Sequence, residues 1–382
     1  MTDCGPSVLM AVQQLRRRVP GGIGNYAGGL LNGLTQCAEL GEEVDLTLLA
    51  SRVPGRPALH RPDPLAAFGR RVVASRLPGP ALTRLWDRGW WHVPTGFDVV
   101  HSVSLAYPPI ETAVAARTVV TVHDVAWRRQ PETTTRRGRK WHEAALVRAR
   151  DSGASLVVPS KFVAADLIDD GIDESRISII QGGSDHLVAE DPVQTDALLA
   201  ELGVTGEFLL TVSTLEPRKN VARLLMAYRA LRRSLPAPWP LVIVGPTGWG
   251  PQLPSPEEQA GVILAGAVSD AVLTGLYHRA RAFAYVPLTE GYGLPPLEAM
   301  RVGTPAVVTN QVPSVSDLGD TAVPPARIVN PFDVDDISTG LFEVLTDEAM
   351  RADLIARGLA FADTRTWQRT AEEHRTLWRS LA

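Results

Sequence analysis

Residues 282–310 read AFAYVPLTEGYGLPPLEAMRVGTPAVVTN. Ala282 to Val286 is a short apolar run that stops at Pro287, as a buried strand does. Gly291, Tyr292 and Gly293 make a turn, and Pro295 and Pro296 fall in a first helical turn, where a missing N–H is tolerated. Leu297 to Val302 continues the helix, Gly303 and Pro305 end it, and Ala306 to Thr309 is the next strand. Two carboxylates bracket the turn, Glu290 before it and Glu298 in the first helical turn, with seven residues between them. Both lie at the carboxyl end of a parallel strand. Open α/β sheets bind ligands there, and free helix N–H groups favour anions.

The same alternation runs outward in both directions. Val8–Val12, Val44–Ala50, Val99–Ser102, Val119–Val122, Leu156–Pro159 and Ile177–Gln181 form one set of strands. Phe208–Ser213, Leu241–Gly245, Val262–Ala265, Ala282–Val286 and Ala306–Thr309 form a second. Apolar runs of this length without strict alternation are what buried parallel strands look like. A polar, proline-containing stretch from Gly182 to Thr205 separates the sets, so the 382 residues divide into two α/β domains. The predicted boundaries are 1–185 and 186–365, with a terminal amphipathic helix in 366–382.

Composition narrows the class. A chain 45% hydrophobic and 21% charged is globular. Its net charge of -4 gives no general case for nucleic acid. Cys4 and Cys37 are the only cysteines, too few for a disulfide framework or a cysteine zinc site. No apolar run approaches the ~18–20 residues of a membrane span, and the N-terminal residues lack a signal-peptide pattern. A cytoplasmic enzyme is the expectation.

Three further segments sit where strands end. STLEPRKN, residues 213–220, puts Arg218 and Lys219 before a helix for which Asn220 is a cap candidate. Arg suits forked contact with phosphate and Lys acts as a point charge. TVHDVAW, residues 121–127, puts His123 at a strand end. VPGGIGNYAGGL, residues 19–30, is a glycine-rich loop entering a helix, suited to close approach of N–H groups to an anion. GPTGWG, residues 245–250, lacks the Lys-Ser/Thr of a P-loop, and no HExxH supports a metal.

The Glu290–Glu298 string resembles the E-x7-E signature of retaining glycosyltransferases of the large GT4 family, and EPRKN resembles one branch of it. The resemblance covers nearly the whole chain. It implies the GT-B fold: two Rossmann-like domains with parallel sheets facing a central cleft. The first would bind acceptor, the second sugar nucleotide, and the last helix would cross back to the first. It also implies roles. Arg218 and Lys219 grip the donor diphosphate, and Glu298 hydrogen-bonds the ribose. Glu290 and His123 lie by the donor sugar. Gly22 and Gly24 belong to the loop near the pyrophosphate, and Gly291, Tyr292, Gly293 and Leu294 form the donor-binding turn. The backbone around Val268, in GAVSD, meets the nucleobase. The family often has an Arg where this chain has Thr214; Arg218 supplies that charge here. No cofactor and no metal are implied. The donor expected from the EPRKN branch is GDP-mannose; the acceptor is a glycan, glycolipid or small molecule. Truncating Arg218 or Lys219 should lower donor affinity at little cost in stability, and removing Glu290 should spare nucleotide affinity.

Two alternatives stand beside this reading: a sugar-nucleotide epimerase, and a non-catalytic nucleotide-binding protein on the same double-Rossmann frame. A separate expectation concerns residues 52–91, with eight Arg against Asp63 and Asp87 and with Trp86, Trp90 and Trp91 interleaved. Either it meets anionic lipid at the inner face of the membrane, or its aromatics belong to the core of the first domain. Residues 128–150 are also strongly basic.

Overall fold

The computed structural model describes residues 5–17, 21–53, 63–246, 248, 260–318 and 323–382. These fall into two compact units. One comprises Met1–Val125, Thr135–Gly183 and Thr366–Ala382; the other comprises Ala126–Thr134 and Ser184–Arg365. Cys4, Val19, Pro20, Thr247, Trp249, Gly250, Arg56 and Arg61 lie outside the described residues.

The strands of the first unit are β1 (Ser7–Ala11), β2 (Asp45–Ala50), β3 (Arg71–Ala74), β4 (Val99–Ser102), β5 (Thr118–Thr121), β6 (Ser155–Val158) and β7 (Ile177–Ile179). They form a parallel sheet in the order β3-β2-β1-β4-β5-β6-β7. Those of the second are β8 (Phe208–Val212), β9 (Leu241–Val244), β10 (Val262–Gly266), β11 (Ala280–Tyr285), β12 (Ala306–Thr309) and β13 (Arg327–Val329). They are again parallel, in the order β10-β9-β8-β11-β12-β13. Both orders turn back on themselves once, between β1 and β4 and between β8 and β11. A crevice for a ligand opens at such a reversal.

The central strands of the second unit are apolar on both faces. Leu210, Val242, Phe283 and Val308 face one core with Leu276, Tyr277 and Met300. Leu209, Leu241, Ile243, Ala282, Ala284 and Val307 face the other with Leu224, Tyr228, Leu231 and Leu341. Alternate residues feed two cores, which is why these strands show no polar alternation. The sequence reading lacked β3 and β13. Both are edge strands of three or four residues that open on an Arg, and their first two residues are at most half-buried. Neither offers a continuous apolar run.

In the first unit the glycine stretch is helix rather than loop. The helix runs Gly21–Glu39, so Gly22 and Gly24 stand in its opening turns. Glycines inside a helix cost up to about 1 kcal/mol each, and two of them have a clear use. A Cβ at Gly29 would come within 2.1 Å of the Trp367 ring, and one at Gly33 within 2.0 Å of the Trp367 carbonyl oxygen. They let the terminal helix Trp367–Leu381 lie against this one with Trp367 and Trp378 fully buried. Tyr26 packs edge-on to Trp367 at 5.8 Å.

The tryptophans of residues 52–91 divide. Trp86 is buried with Leu9, Leu49 and Leu82, and Trp91 is packed against that cluster. Trp90 is 67% exposed, with the Arg88 guanidinium over its ring. Arg16 pairs with Asp63, and Arg148 and the Trp141 indole N–H both bond Asp87. Asp87 thereby joins the helix Gly79–Asp87 to the helix Arg136–Ser152, bringing two basic stretches of the sequence together. No helix among the described residues is long and apolar enough to cross a membrane.

Candidate active site

The loop after β8 sets the first feature. Pro217–Lys219 forms a single 3-10 turn that ends on Asn220, which has φ 58°. A left-handed residue of this kind suits Asn. Asn220 stands at the start of the helix Val221–Ser234, but its side chain does not cap it. Its amide donates instead to the carbonyls of Val286 and Pro331, both at 2.9 Å. The Leu288 N–H bonds the Arg218 carbonyl at 2.9 Å. The β8 loop is thus tied to the segments after β11 and β13.

Arg218 and Lys219 meet Glu290. Arg218 Nη1 lies 2.8 Å from Glu290 Oε2, and Lys219 Nζ lies 2.6 Å from Oε1. Arg218 also donates to the Thr289 carbonyl at 3.2 Å. Tyr285, the last residue of β11, accepts from Lys219 at 2.8 Å and donates to Glu290 Oε1 at 2.9 Å. Glu290 is only 7% exposed. Burial alone would raise its carboxyl, but the charges of Arg218 and Lys219 and the bonds from Lys219 and Tyr285 hold it at about 2. Burial in turn lowers the Lys219 ammonium, against the pull of Glu290. The cluster holds two cations and one anion.

Glu298 forms a second buried cluster. Its helix runs Leu294–Arg301, so Glu298 stands in the second turn rather than the first. It is 4% exposed and accepts from His186 Nε2 at 3.1 Å and from the Tyr277 hydroxyl at 2.9 Å. Burial would lower the His186 imidazole, but Glu298 beside it, with Asp185 and Asp270 nearby, raises it. Burial, reinforced by Glu298, drives the Tyr277 hydroxyl well above its ordinary value. Tyr277, Phe283 and Tyr285 form an aromatic row, with ring centroids 5.5 and 6.1 Å apart. One end of the row bonds Glu298 and the other bonds Glu290.

The turn between the carboxylates is pinned. Gly293 has φ 94°, and a Cβ there would lie 2.6 Å from Val312. The Ser314 hydroxyl donates to the Gly293 carbonyl at 2.6 Å, and the Ser314 N–H donates to Tyr292. The Glu290 N–H bonds the Gln311 carbonyl at 3.1 Å. Gly291, Tyr292, Gly293 and Leu294 therefore lead from one carboxylate to the other in a fixed path. Val268 follows β10, packed partly against the core, one residue before Ser269 caps the helix Asp270–Arg279.

In the first unit His123 lies beyond the end of β5. Its Nε2–H donates to the Val103 carbonyl at 2.7 Å, and burial pulls the imidazole down, so the ring is neutral with Nδ1 as acceptor. Tyr26 stands edge-on to it at 4.8 Å, and the Tyr26 hydroxyl bonds His374 Nε2 at 2.9 Å. His374 Nδ1 bonds the Thr370 carbonyl, and its ring stacks on His101 at 5.3 Å. Gly22, in the exposed first turn of its helix, has nothing within 4 Å of where a Cβ would be.

Arg218, Lys219, Glu290 and Glu298 are thus in the second unit, along with the Gly291–Leu294 turn and Val268; His123, Gly22 and Gly24 are in the first. Sequence reasoning missed Tyr285, Tyr277 and His186. The two tyrosines look like core residues in apolar stretches, and His186 falls in the polar stretch between the domains. Among the described residues, the group with metal-ligand spacing is Cys37, Glu42 and Glu372, none of them in these clusters. Glu42 there is paired with Arg375.

Residues 200–360 match the model of the glycosyl transferases group 1, and residues 20–186 match that of glycosyltransferase family 4. The chain is 29% identical over 362 residues to the O-antigen chain mannosyltransferase B of Escherichia coli, covering 91% of this chain and 93% of that protein. It is 30% identical over 236 residues to the serotype-specific mannosyltransferase WbdA of Escherichia coli, of which that match covers 28%. Among solved structures, Anabaena Alr3699/HepE in complex with UDP and glucose shares the fold with a TM-score of 0.69 at 17% identity, over 98% of this chain and 100% of that one. WaaG, a glycosyltransferase involved in lipopolysaccharide biosynthesis, gives 0.67 at 16% identity, over 97% and 99%.

Proposed function

We propose, this chain being a group 1 glycosyltransferase of family GT4 with the GT-B fold, that it moves mannose from GDP-mannose to a glycan or glycolipid acceptor with retention of configuration. One observation carries the choice of site: two basic side chains meet the buried Glu290 in the loops after β8 and β11, where the second sheet reverses, and the buried Glu298 closes the other end of the aromatic row Tyr277–Phe283–Tyr285. The mannosyl assignment is supported by relatives whose names are those of mannosyltransferases, over 91% of this chain in one case.

In this reaction the bond between the anomeric carbon and the diphosphate oxygen breaks. The acceptor oxygen takes that carbon, and the acceptor's proton leaves with the diphosphate or to solvent. Charge develops on the departing diphosphate, and preorganised cations and N–H groups stabilise it at low reorganisation cost. In our reading Arg218 and Lys219 do this, with the N–H groups in the opening turn of the helix Gly21–Glu39, at Gly22 and Gly24, as further donors. Glu298 binds the ribose diol. A carboxylate has about four acceptor positions, so His186 and Tyr277 leave it capacity for two hydroxyls. Glu290 and His123 serve the sugar, the Gly291–Leu294 turn lies along the donor, and the backbone at Val268 meets the base. The basic side chains supply the charge that a divalent ion would otherwise supply, so turnover should persist in a chelating buffer.

Trp90 and the exposed Arg84 and Arg88 are candidates for contact with an anionic membrane holding a lipid-linked acceptor. Vesicle co-sedimentation at low and high salt tests this. Binding that salt abolishes supports it, and failure to bind anionic vesicles at low salt removes it.

Proton NMR of the product formed from GDP-mannose and an oligomannosyl acceptor tests the central reaction. An α-linked product supports retention. A β-linked product contradicts the mechanism, and an epimerised sugar nucleotide would favour the alternative enzyme class.

A further inference from the structure

The cations assigned to the diphosphate are already engaged. Both oxygens of Glu290 are taken up, one by Arg218 at 2.8 Å and one by Lys219 at 2.6 Å. The side chains of Arg218 and Lys219 are 16% and 15% exposed, and that of Glu290 8%. Charges this enclosed interact much more strongly than charges in water. A diphosphate reaching these two cations meets a carboxylate that competes for them. Two anions held by the same pair of cations repel each other, so some of the Glu290 contact must be given up.

We propose that Glu290 is an internal counter-ion of the diphosphate site: it holds Arg218 and Lys219 in the empty enzyme, and donor binding exchanges it for the diphosphate. Tyr285 decides where the carboxylate goes. Its hydroxyl already donates to Glu290 Oε1 and accepts from Lys219. Once Lys219 turns to phosphate, the Tyr285 hydroxyl still holds Glu290. The carboxylate is thereby released from the cations only when a diphosphate is present, and only then is it available to a sugar attached to that diphosphate. The same group that weakens binding of the empty product keeps the basic pair in place before substrate arrives. This reverses the sequence-based expectation that removing Glu290 would spare nucleotide affinity. It rests on the reading of Arg218 and Lys219 as the diphosphate site.

Titration calorimetry with inorganic pyrophosphate and with GDP tests the exchange on wild type and Glu290→Gln. Glutamine keeps the shape and one accepting oxygen for Lys219 and Tyr285, but its NH2 cannot accept from Arg218, and it removes the competing charge. Pyrophosphate and GDP should bind the variant about tenfold tighter or more, while sugar transfer falls. Thermal unfolding gives a second measure. Glu290→Gln should unfold at lower temperature without ligand, and pyrophosphate should raise its Tm by more than it raises that of wild type. If that variant does not fold, Glu290→Asp, whose shorter side chain loosens the same contacts, should show the same tightening in smaller degree. Equal or weaker pyrophosphate binding in the folded variants overturns the exchange while leaving the glycosyltransferase reading intact, provided wild type binds GDP. Absence of both ligands from wild type and variant overturns the exchange together with the diphosphate assignment.

Discussion

Each of the two carboxylates of the motif is held by a tyrosine and at least one nitrogen cation or imidazole. Glu290 has Tyr285, Arg218 and Lys219; Glu298 has Tyr277 and His186. The sequence suggested that Arg218 and Lys219 could be truncated at little cost. The structure changes that expectation, because loss of one partner leaves charge buried and incompletely paired. Lys219→Ala should lower stability by about 1–3 kcal/mol as well as donor affinity, and denaturant titration beside donor kinetics separates the two effects. The Glu290 carboxyl is held low in the folded protein, at about 2. Its contribution to stability is therefore present above the unfolded value near 4.3 and is lost as pH falls toward about 2. Tyr277→Phe should raise KM for the nucleotide sugar more than it lowers kcat, since Tyr277 reaches Glu298 and not Glu290. A kcat effect without a KM effect would contradict that division. The motif residues were legible because strand, turn and helix signals coincide around them. The tyrosines were not, since an aromatic residue in a buried strand, as Tyr285, or on a buried helix face, as Tyr277, gives no sign in the sequence of where its hydroxyl points.

At the scale of elements, the central strands and the edge strands β7 and β10 were legible, whereas the edge strands β3 and β13 were not. β11 and β12 are apolar runs bounded by Pro287 and Pro305, whereas β3 and β13 are short segments led by Arg. The glycine stretch shows a sharper limit. Read as a loop for an anion, most of it is a helix, and Gly29 and Gly33 make room for Trp367, more than 300 residues away in sequence. No local pattern announces such a partner. In an exposed helix Gly→Ala stabilises by up to about 1 kcal/mol. Here Gly33→Ala should destabilise by about 1–3 kcal/mol or more, because the obstructing atom is a backbone oxygen. Thermal unfolding of Gly33→Ala beside Gly22→Ala checks this. Gly22 has open space, so only the Gly33 substitution should lower Tm substantially.

For the whole molecule, two domains built on parallel sheets could be foreseen from alternating apolar runs, whereas the strand order they share is known only from the structure. The terminal helix brings a titratable cluster into the first unit. His374 is buried against Tyr26, His101 and Trp378, and burial holds its imidazole at about 4. Since the unfolded chain takes up this proton near pH 6.5, the stability tied to neutral His374 is complete above that pH. It is lost as pH falls to about 4, and amounts to about 3 kcal/mol. Chemical denaturation between pH 7 and 4.5 should show the loss, with a smaller slope in His374→Asn. The functional reading depends on a sugar nucleotide meeting the Glu290 and Glu298 clusters. Its most direct test is release of nucleoside diphosphate from GDP-mannose, UDP-glucose and ADP-glucose in the presence of an oligomannosyl acceptor, for wild type and Lys219→Ala. Acceptor-dependent release of GDP from GDP-mannose, reduced at least about tenfold by the substitution, is the expected result. Absence of release from every donor, or release that Lys219→Ala leaves unchanged, would contradict it.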